Sequence, residues 1–390
     1  MRTLTRGQRS AGLGEAAYLR PARSLLLLSG TLRPFDLLAT ELGLERVDDA
    51  LDLVERKTVA VRTTTAFSDG DQAAAPVVEL STTPEKPTSR AYLASAVSAT
   101  HLSTIEANLL PVHLAVASGT RLDASYNNAT RDPDAPTTHA YFDALGVALL
   151  GVATAAPHGV LVFFKSYKLL ELVVAHWKKK TPTQPHGQTS FFDDRLARAK
   201  PVFVEERHLS GDAFEALVRD YRAHAERSAR GAVLLAVMRG RAAEGADFKD
   251  RAARVVAVVG VPYPPFYDAA TRLKREHDDA AHGPGAGDRW YAAEAYRNVN
   301  QAAGRLIRHA GDFGALVLLD AALRPHRELM SEWYAARLVT LPGATELHRR
   351  LRAFFEAKGE KLVPGSAVEL PPQQRRRSTT TAQGGGGGGG

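Results

Sequence analysis

The sequence predicts a doubly wound α/β fold around a parallel sheet, and three observations carry that expectation. Gly159–Phe164 (GVLVFF) and the runs 232–238, 255–259 and 315–319 are short and apolar at nearly every position. Such runs lack the alternation of a half-solvated strand and suit strands covered on both faces. The segments between them have the length and apolar spacing of helices. Strands that alternate with helices need crossover connections, which make neighbouring strands parallel.

Taken in order, Ser24 to Leu28 reads as a buried strand ending at Ser29-Gly30-Thr31. Pro34 then opens an amphipathic segment that reaches Leu42 before Gly43. From 45 to 110 only Thr58–Thr63 alternates, and weakly. The stretch rich in Ala, Thr, Ser and Pro from Thr64 to Ser98 reads as a variable insertion or loop. Order returns at Pro111. Helices are expected over Tyr167–Trp177, over Asp212–Arg227 with Ser210 or Asp212 as cap, over Phe266–His277, from Trp290 after a Gly/Pro loop at His282–Gly287, and over Thr345–Ala357. Val202–Val204 is a short strand. The tail holds Pro371-Pro372, Arg375-Arg376-Arg377 and a glycine run, cannot bury a core, and is expected to be disordered. Its three arginines are either a nuclear address or a solvated basic tail. The expected divisions are therefore 1–44, 45–110, 111–360 and 361–390.

The 390 residues are 44% hydrophobic and 24% charged, with a formal charge of +7. Length allows two or three domains, and the charge fits a polyanion partner as well as it fits ordinary solvated helix faces. There are no cysteines, which excludes disulfides, thiolate catalysis, cysteine zinc sites and iron–sulfur clusters within this chain. No metal ligands are assigned. No apolar run approaches the roughly 18 residues of a membrane span, so no membrane partner is expected. Met1–Arg33 carries six arginines against Glu15. That pattern suits either an organellar transit peptide or the edge of a larger fold, and the turn motif that follows at once favours the second.

Two segments are chemically loaded. After the strand at 232–238 comes Arg239-Gly240-Arg241-Ala242-Ala243-Glu244-Gly245-Ala246-Asp247-Phe248. Its glycines let backbone approach a ligand closely, and Glu244 and Asp247 can orient a ribose, a water or an arginine. The ordinary alternative is a charged surface turn. Asn300 to His309 is the second segment. If it is helical, Gln301, Gly304, Arg305 and Arg308 share one face. Two guanidiniums on one face, with Gly304 removing side-chain bulk, suit a phosphate group placed between them. A merely solvated basic stripe would gain nothing from that glycine, which costs about 1 kcal/mol relative to Ala.

Several segments in the same order resemble the xeroderma pigmentosum group D and Fanconi anaemia group J branch of superfamily 2 DNA helicases. Ser29-Gly30-Thr31-Leu32 with Pro34 and Ala39–Leu44 resembles motif III, and Ser118-Gly119, Leu122, Tyr126 and Asn128 the landmark leading into the second motor domain. Gly159–Leu170 resembles motif IV, Arg239–Phe248 motif V, and Gly260–Pro264 the turn after it. Leu273-Lys274-Arg275 resembles the helix beyond that turn. Trp290-Tyr291 and Ala295-Tyr296-Arg297 resemble the approach to motif VI, and Gln301–His309 motif VI itself.

The resemblance implies a RecA-like second motor domain of a 5′-to-3′ ATP-dependent DNA helicase working in the nucleus in genome maintenance. It implies that Gln301, Arg305 and Arg308 face the ATP phosphates, and that Glu244, Gly245, Asp247 and Gly304 complete the nucleotide pocket. Ser166, Tyr167 and Arg239 would contact single-stranded or duplex DNA, and Ser29 and Thr31 would couple hydrolysis to domain movement. Departures from the pattern are Lys165 for Pro, Ala243 for Ser, Arg241 for Lys, Tyr263 for Phe, and Asp320-Ala321-Ala322-Leu323 for the family's DxRF.

The chain contains neither a GxxxxGK[ST] loop nor a DEAH-type box. ATP and Mg²⁺ are therefore expected to be held mainly by a first motor domain in cis or trans, and any iron–sulfur cluster lies outside this chain. The other reading is a non-catalytic DNA-binding or regulatory module derived from such a helicase. This chain by itself is expected to hydrolyse no ATP, with or without single-stranded DNA. Steady-state turnover clearly above that of a variant lacking both Arg305 and Arg308 contradicts the expectation.

Overall fold

The computed structural model describes residues 107–360, with 184–186, 310 and 325 excepted. The expected strand at Ser24–Leu28, the turn bearing Ser29 and Thr31, the segment Thr58–Thr63 and the tail from Ser366 lie outside the described residues.

Seven strands form one sheet: β1 Leu109–Leu114, β2 Gly159–Phe164, β3 Val202–Val204, β4 Ala232–Val237, β5 Val255–Val259, β6 Gly314–Leu318 and β7 Val339–Leu341. Their order is β7-β1-β6-β5-β2-β4-β3, and every pairing is parallel. The main helices are α1 Pro136–Ala155, α2 Tyr167–Lys178, α3 Gly211–Arg227, α4 Ala269–His282, α5 Ala286–Ala303 and α6 Ala344–Ala357. This is the doubly wound parallel sheet that the apolar runs predict.

The register explains why those runs are apolar throughout. Val160, Val162 and Phe164 join Val233, Leu235, Val255 and Ala257 beneath α1, α2 and α6. Their neighbours Leu161, Phe163, Leu234, Ala236, Val256 and Val258 pack on the opposite face with α5 and Tyr221 and Ala225 of α3. Successive side chains point to opposite faces of a strand, so the doubly covered β2, β4, β5 and β6 are apolar throughout, while β1 admits His113 because its ring is hydrogen-bonded.

Helix starts follow side-chain caps. Ser166 Oγ accepts from the Leu169 N–H at 3.3 Å to open α2, and Ser210 from Ala213 at 3.2 Å to open α3. Ser210, rather than Asp212, is thus the cap. Asp268 accepts from Thr271 at 3.1 Å, so α4 begins beyond Phe266, later than the sequence predicts, and runs on to His282. Helix α5 begins at Ala286, ahead of Trp290.

Two elements carried no readable signal. Helix α1 is buried at thirteen of its twenty positions, so it lacks the polar stripe that marks an amphipathic helix. It is pinned by the Trp177 indole N–H, which donates to the Phe142 carbonyl at 2.9 Å. Strand β7 is a short edge whose first two residues are exposed. Among the described residues, no helix is long and apolar enough to cross a membrane.

Asp320, just past β6, is 2% exposed and accepts the backbone N–H groups of Ala124 at 2.9 Å and Ala322 at 2.7 Å. Burial outweighs those bonds and pushes its carboxyl up from 3.8 to about 6. The folded state therefore binds more protons than the unfolded chain between those values. Stability contributed by protonated Asp320 is lost as pH rises through this window and stays lost above it. Asp320→Asn should flatten the fall in urea-derived stability between about pH 4 and 6. A variant whose profile has the parent's slope there contradicts this.

Candidate functional site

The loaded segments gather at the C-terminal ends of the strands, where open α/β sheets bind ligands. Strand β4 leads through Met238 to Arg239, whose φ of +66° puts it in the left-handed region, and on to a single helical turn over Arg241–Glu244. A buried carboxylate holds this bend. Glu205, 1% exposed, accepts from the N–H groups of Val237 at 3.1 Å and Arg241 at 3.0 Å, and from the Tyr167 hydroxyl at 3.1 Å. A Cβ on Gly240 would sit 2.9 Å from both Glu205 oxygens, so the bend requires glycine there. No residue pattern marks Glu205, because two of its three partners are main-chain groups.

The arginine segment departs from the helical face that the spacing suggests. Helix α5 ends at Ala303, with Gly304 as its C-cap. The chain then tightens: the Arg305 and Leu306 N–H groups reach back only three residues, to Ala302 and Ala303, both at 3.1 Å. Leu306 is thereby driven into the core, where it packs against the start of β6 at Gly314. Asp312, whose side chain is wholly buried, accepts the Arg308 N–H at 3.0 Å. Its other oxygen accepts from Arg254 Nη1 at 2.7 Å and from the Phe313 N–H at 3.0 Å. His309 lies 2.8 Å from Asp250. Asp250, His309 and Asp312 cluster closely enough to suggest a metal, but both Asp312 oxygens are occupied by N–H donors.

The reversal still brings the two guanidiniums together. Arg305 Nη1 donates to the Ala246 carbonyl at 2.9 Å, and Arg308 Nε lies 4.0 Å from an Asp247 oxygen. Burial, then the charge of Arg308, lowers the Arg305 pKa, while Asp247 and Glu244 oppose that shift. Arg305, Arg308, Glu244, Gly245 and Asp247 thus form one group, with Gln301 exposed on the last turn of α5. Gly304 has an ordinary αR conformation, and an added Cβ there would meet the Asn300 carbonyl at 3.3 Å.

The predicted DNA residues lie along the neighbouring strand ends. Ser166 is committed to its capping bond. Tyr167 turns its hydroxyl inward to Glu205 and has the Arg207 guanidinium 5.5 Å from its ring; burial, then Glu205, pushes its pKa up to about 12. Arg239 donates to the Pro262 carbonyl at 3.4 Å and lies 3.9 Å from Glu294. Lys165 follows β2, its N–H bonded to Val259 at 3.0 Å; burial lowers its ammonium pKa, opposed by Asp320 and Asp123.

Residues 149–337 match the helicase C-terminal domain family. The regulator of telomere elongation helicase 1 homolog of Drosophila willistoni is 36% identical over 231 residues, covering 57% of this chain and 22% of that protein. The Drosophila melanogaster protein of the same name is 36% identical over 225 residues, covering 55% of this chain and 22% of its own length. The chain therefore spans 22% of the length of these relatives. A solved XPD apo structure aligns with a TM-score of 0.41 and 19% identity over 60% of this chain and 40% of that one. Within this chain, residues 149–337 thus carry a helicase C-terminal domain.

Proposed function

We propose that this domain is the second motor domain of an ATP-dependent 5′-to-3′ DNA helicase acting in the nucleus, and that Arg305 and Arg308 are its arginine fingers. The observation that carries the reading is their convergence on the 244–247 loop. Two like charges are held side by side, one of them half-buried, at a cost that an anion would relieve. Guanidiniums fixed in this way stabilise charge on a transferring phosphoryl group without reorganising during the reaction. In this reading Gly245, Asp247, Glu244 and Gly304 border the nucleotide, Gln301 faces its phosphates, and a P-loop domain supplies the Mg²⁺ carboxylates. Ser166, Tyr167 and Arg239 lie on the DNA side. Tyr167 contributes through its place over Glu205 and beside Arg207.

The C-terminal domain match and the helicase relatives support the helicase origin of this domain, and the paired arginines favour the catalytic reading. Fusion to a P-loop motor domain of a superfamily 2 helicase should yield DNA-stimulated ATPase activity that depends on both arginines. Lys keeps the charge but loses the planar forked donor array. Arg305→Lys and Arg308→Lys should therefore each lower turnover steeply, towards the ~10³–10⁵-fold typical of such fingers, and weaken ATP binding much less. Steady-state rates equal to those of the unsubstituted fusion for both variants would falsify the finger assignment.

A further inference from the structure

Beside the proposed DNA edge lies a row of aromatic rings that the motor chemistry leaves unused. The turn after β5 and the first half of α5 supply Tyr263, Phe266, Tyr267 and Tyr291. Tyr263 and Tyr291 stack with centroids 5.1 Å apart and planes 19° apart. Phe266 stands edge-on to Tyr291 at 5.8 Å and to Tyr267 at 5.4 Å. Arg275 of α4 lies 4.4 Å from the Phe266 ring and 5.3 Å from that of Tyr291. The Tyr291 hydroxyl donates to the Pro264 carbonyl at 2.8 Å, which locks the turn onto α5.

The row ends in water. Tyr267 is 94% exposed and Phe266 48%. Two adjacent aromatic side chains left this open on a rigid base gain nothing for folding, and contiguous exposed apolar surface marks a binding site. The row also adjoins the strand ends already described. Arg239 bonds to Pro262 of the same turn, and a Cβ at Gly260 would sit 3.1 Å from the Lys165 side chain.

We infer that Phe266 and Tyr267, backed by Tyr291 and Arg275, form a base-stacking platform that extends a single-stranded DNA track beyond Lys165 and Arg239. The inference rests on the reading of this domain as a DNA motor. Stacking suits the geometry because every base has a π face and the rings are already fixed by their neighbours. Arg275 adds a cation to the platform, as in ring–guanidinium–base stacks. The cations of α4 are paired, Arg275 with Asp288 of α5, Arg272 with Glu276 and Lys274 with Asp278. The platform therefore contributes by stacking rather than by release of counterions.

The test is fluorescence anisotropy of a labelled oligo(dT) 15-mer with the full 390-residue chain, over a salt series. Phe266→Ala with Tyr267→Ala should weaken binding about tenfold at each salt concentration and leave the salt dependence unchanged. Tyr267→Trp, which keeps an aromatic ring at this position, should retain parent affinity. With an iodo-deoxyuridine oligonucleotide, ultraviolet cross-links should map to the peptide holding Phe266 and Tyr267. A parent that binds while the double variant binds equally well overturns the platform and leaves the motor reading intact. A parent that binds no oligonucleotide overturns both.

Discussion

The geometry of the edge that bears Arg305 and Arg308 depends on one buried carboxylate. Asp312 ties the reversal after α5, through the Arg308 N–H, and the entrance to β6, through the adjoining Phe313 N–H, to the distant Arg254 at the entrance to β5. The Arg254 guanidinium also lies over the Phe313 ring at 4.0 Å and donates to the Phe313 carbonyl. Burying such a pair costs desolvation energy that is offset only where every oxygen finds a donor, as both do here. The pair is therefore weak evidence for stability and better evidence for a fixed shape. It sets where the chain leaves α5, and so where Arg305 and Arg308 point.

Glu205 plays the matching part at the other end of the 237–247 segment. It holds the bend after β4 and the Tyr167 hydroxyl, while Arg305 holds Ala246 at the far end of the same segment. The proposed nucleotide and DNA sides are thus joined by about ten residues of chain anchored at both ends. Along this segment lie, in order, the Tyr167 hydroxyl and Glu205, the bend after β4, and the Ala246 carbonyl with Arg305.

The sheet was legible in the sequence because its strands are covered on both faces, and that coverage writes unbroken apolar runs at Gly159, Ala232 and Val255. The same physics hid α1: a helix buried nearly all round has no period to read. The cationic segment was legible by composition but not by conformation. Even spacing suggested a helical face, yet burial of Leu306 and the bond from Arg308 to Asp312 stop the helix at Ala303. The arginines converge because tertiary contacts bend them together, not because they are three residues apart on a helix. Glu205 and Asp312 were invisible for one reason, since both act largely through backbone N–H groups.

The account holds that Asp312 acts through Arg308. The most direct measurement is a double-mutant cycle of Asp312→Asn and Arg308→Lys on ATP turnover in the P-loop fusion, at a temperature where all four proteins are folded. Asn keeps the size of the side chain but presents an amide N–H toward one of the donors that Asp312 now accepts. If Asp312 only positions Arg308, the substitution should slow the parent strongly and the Arg308→Lys protein little, giving a clear interaction term. Independent, multiplicative losses in turnover would contradict the account.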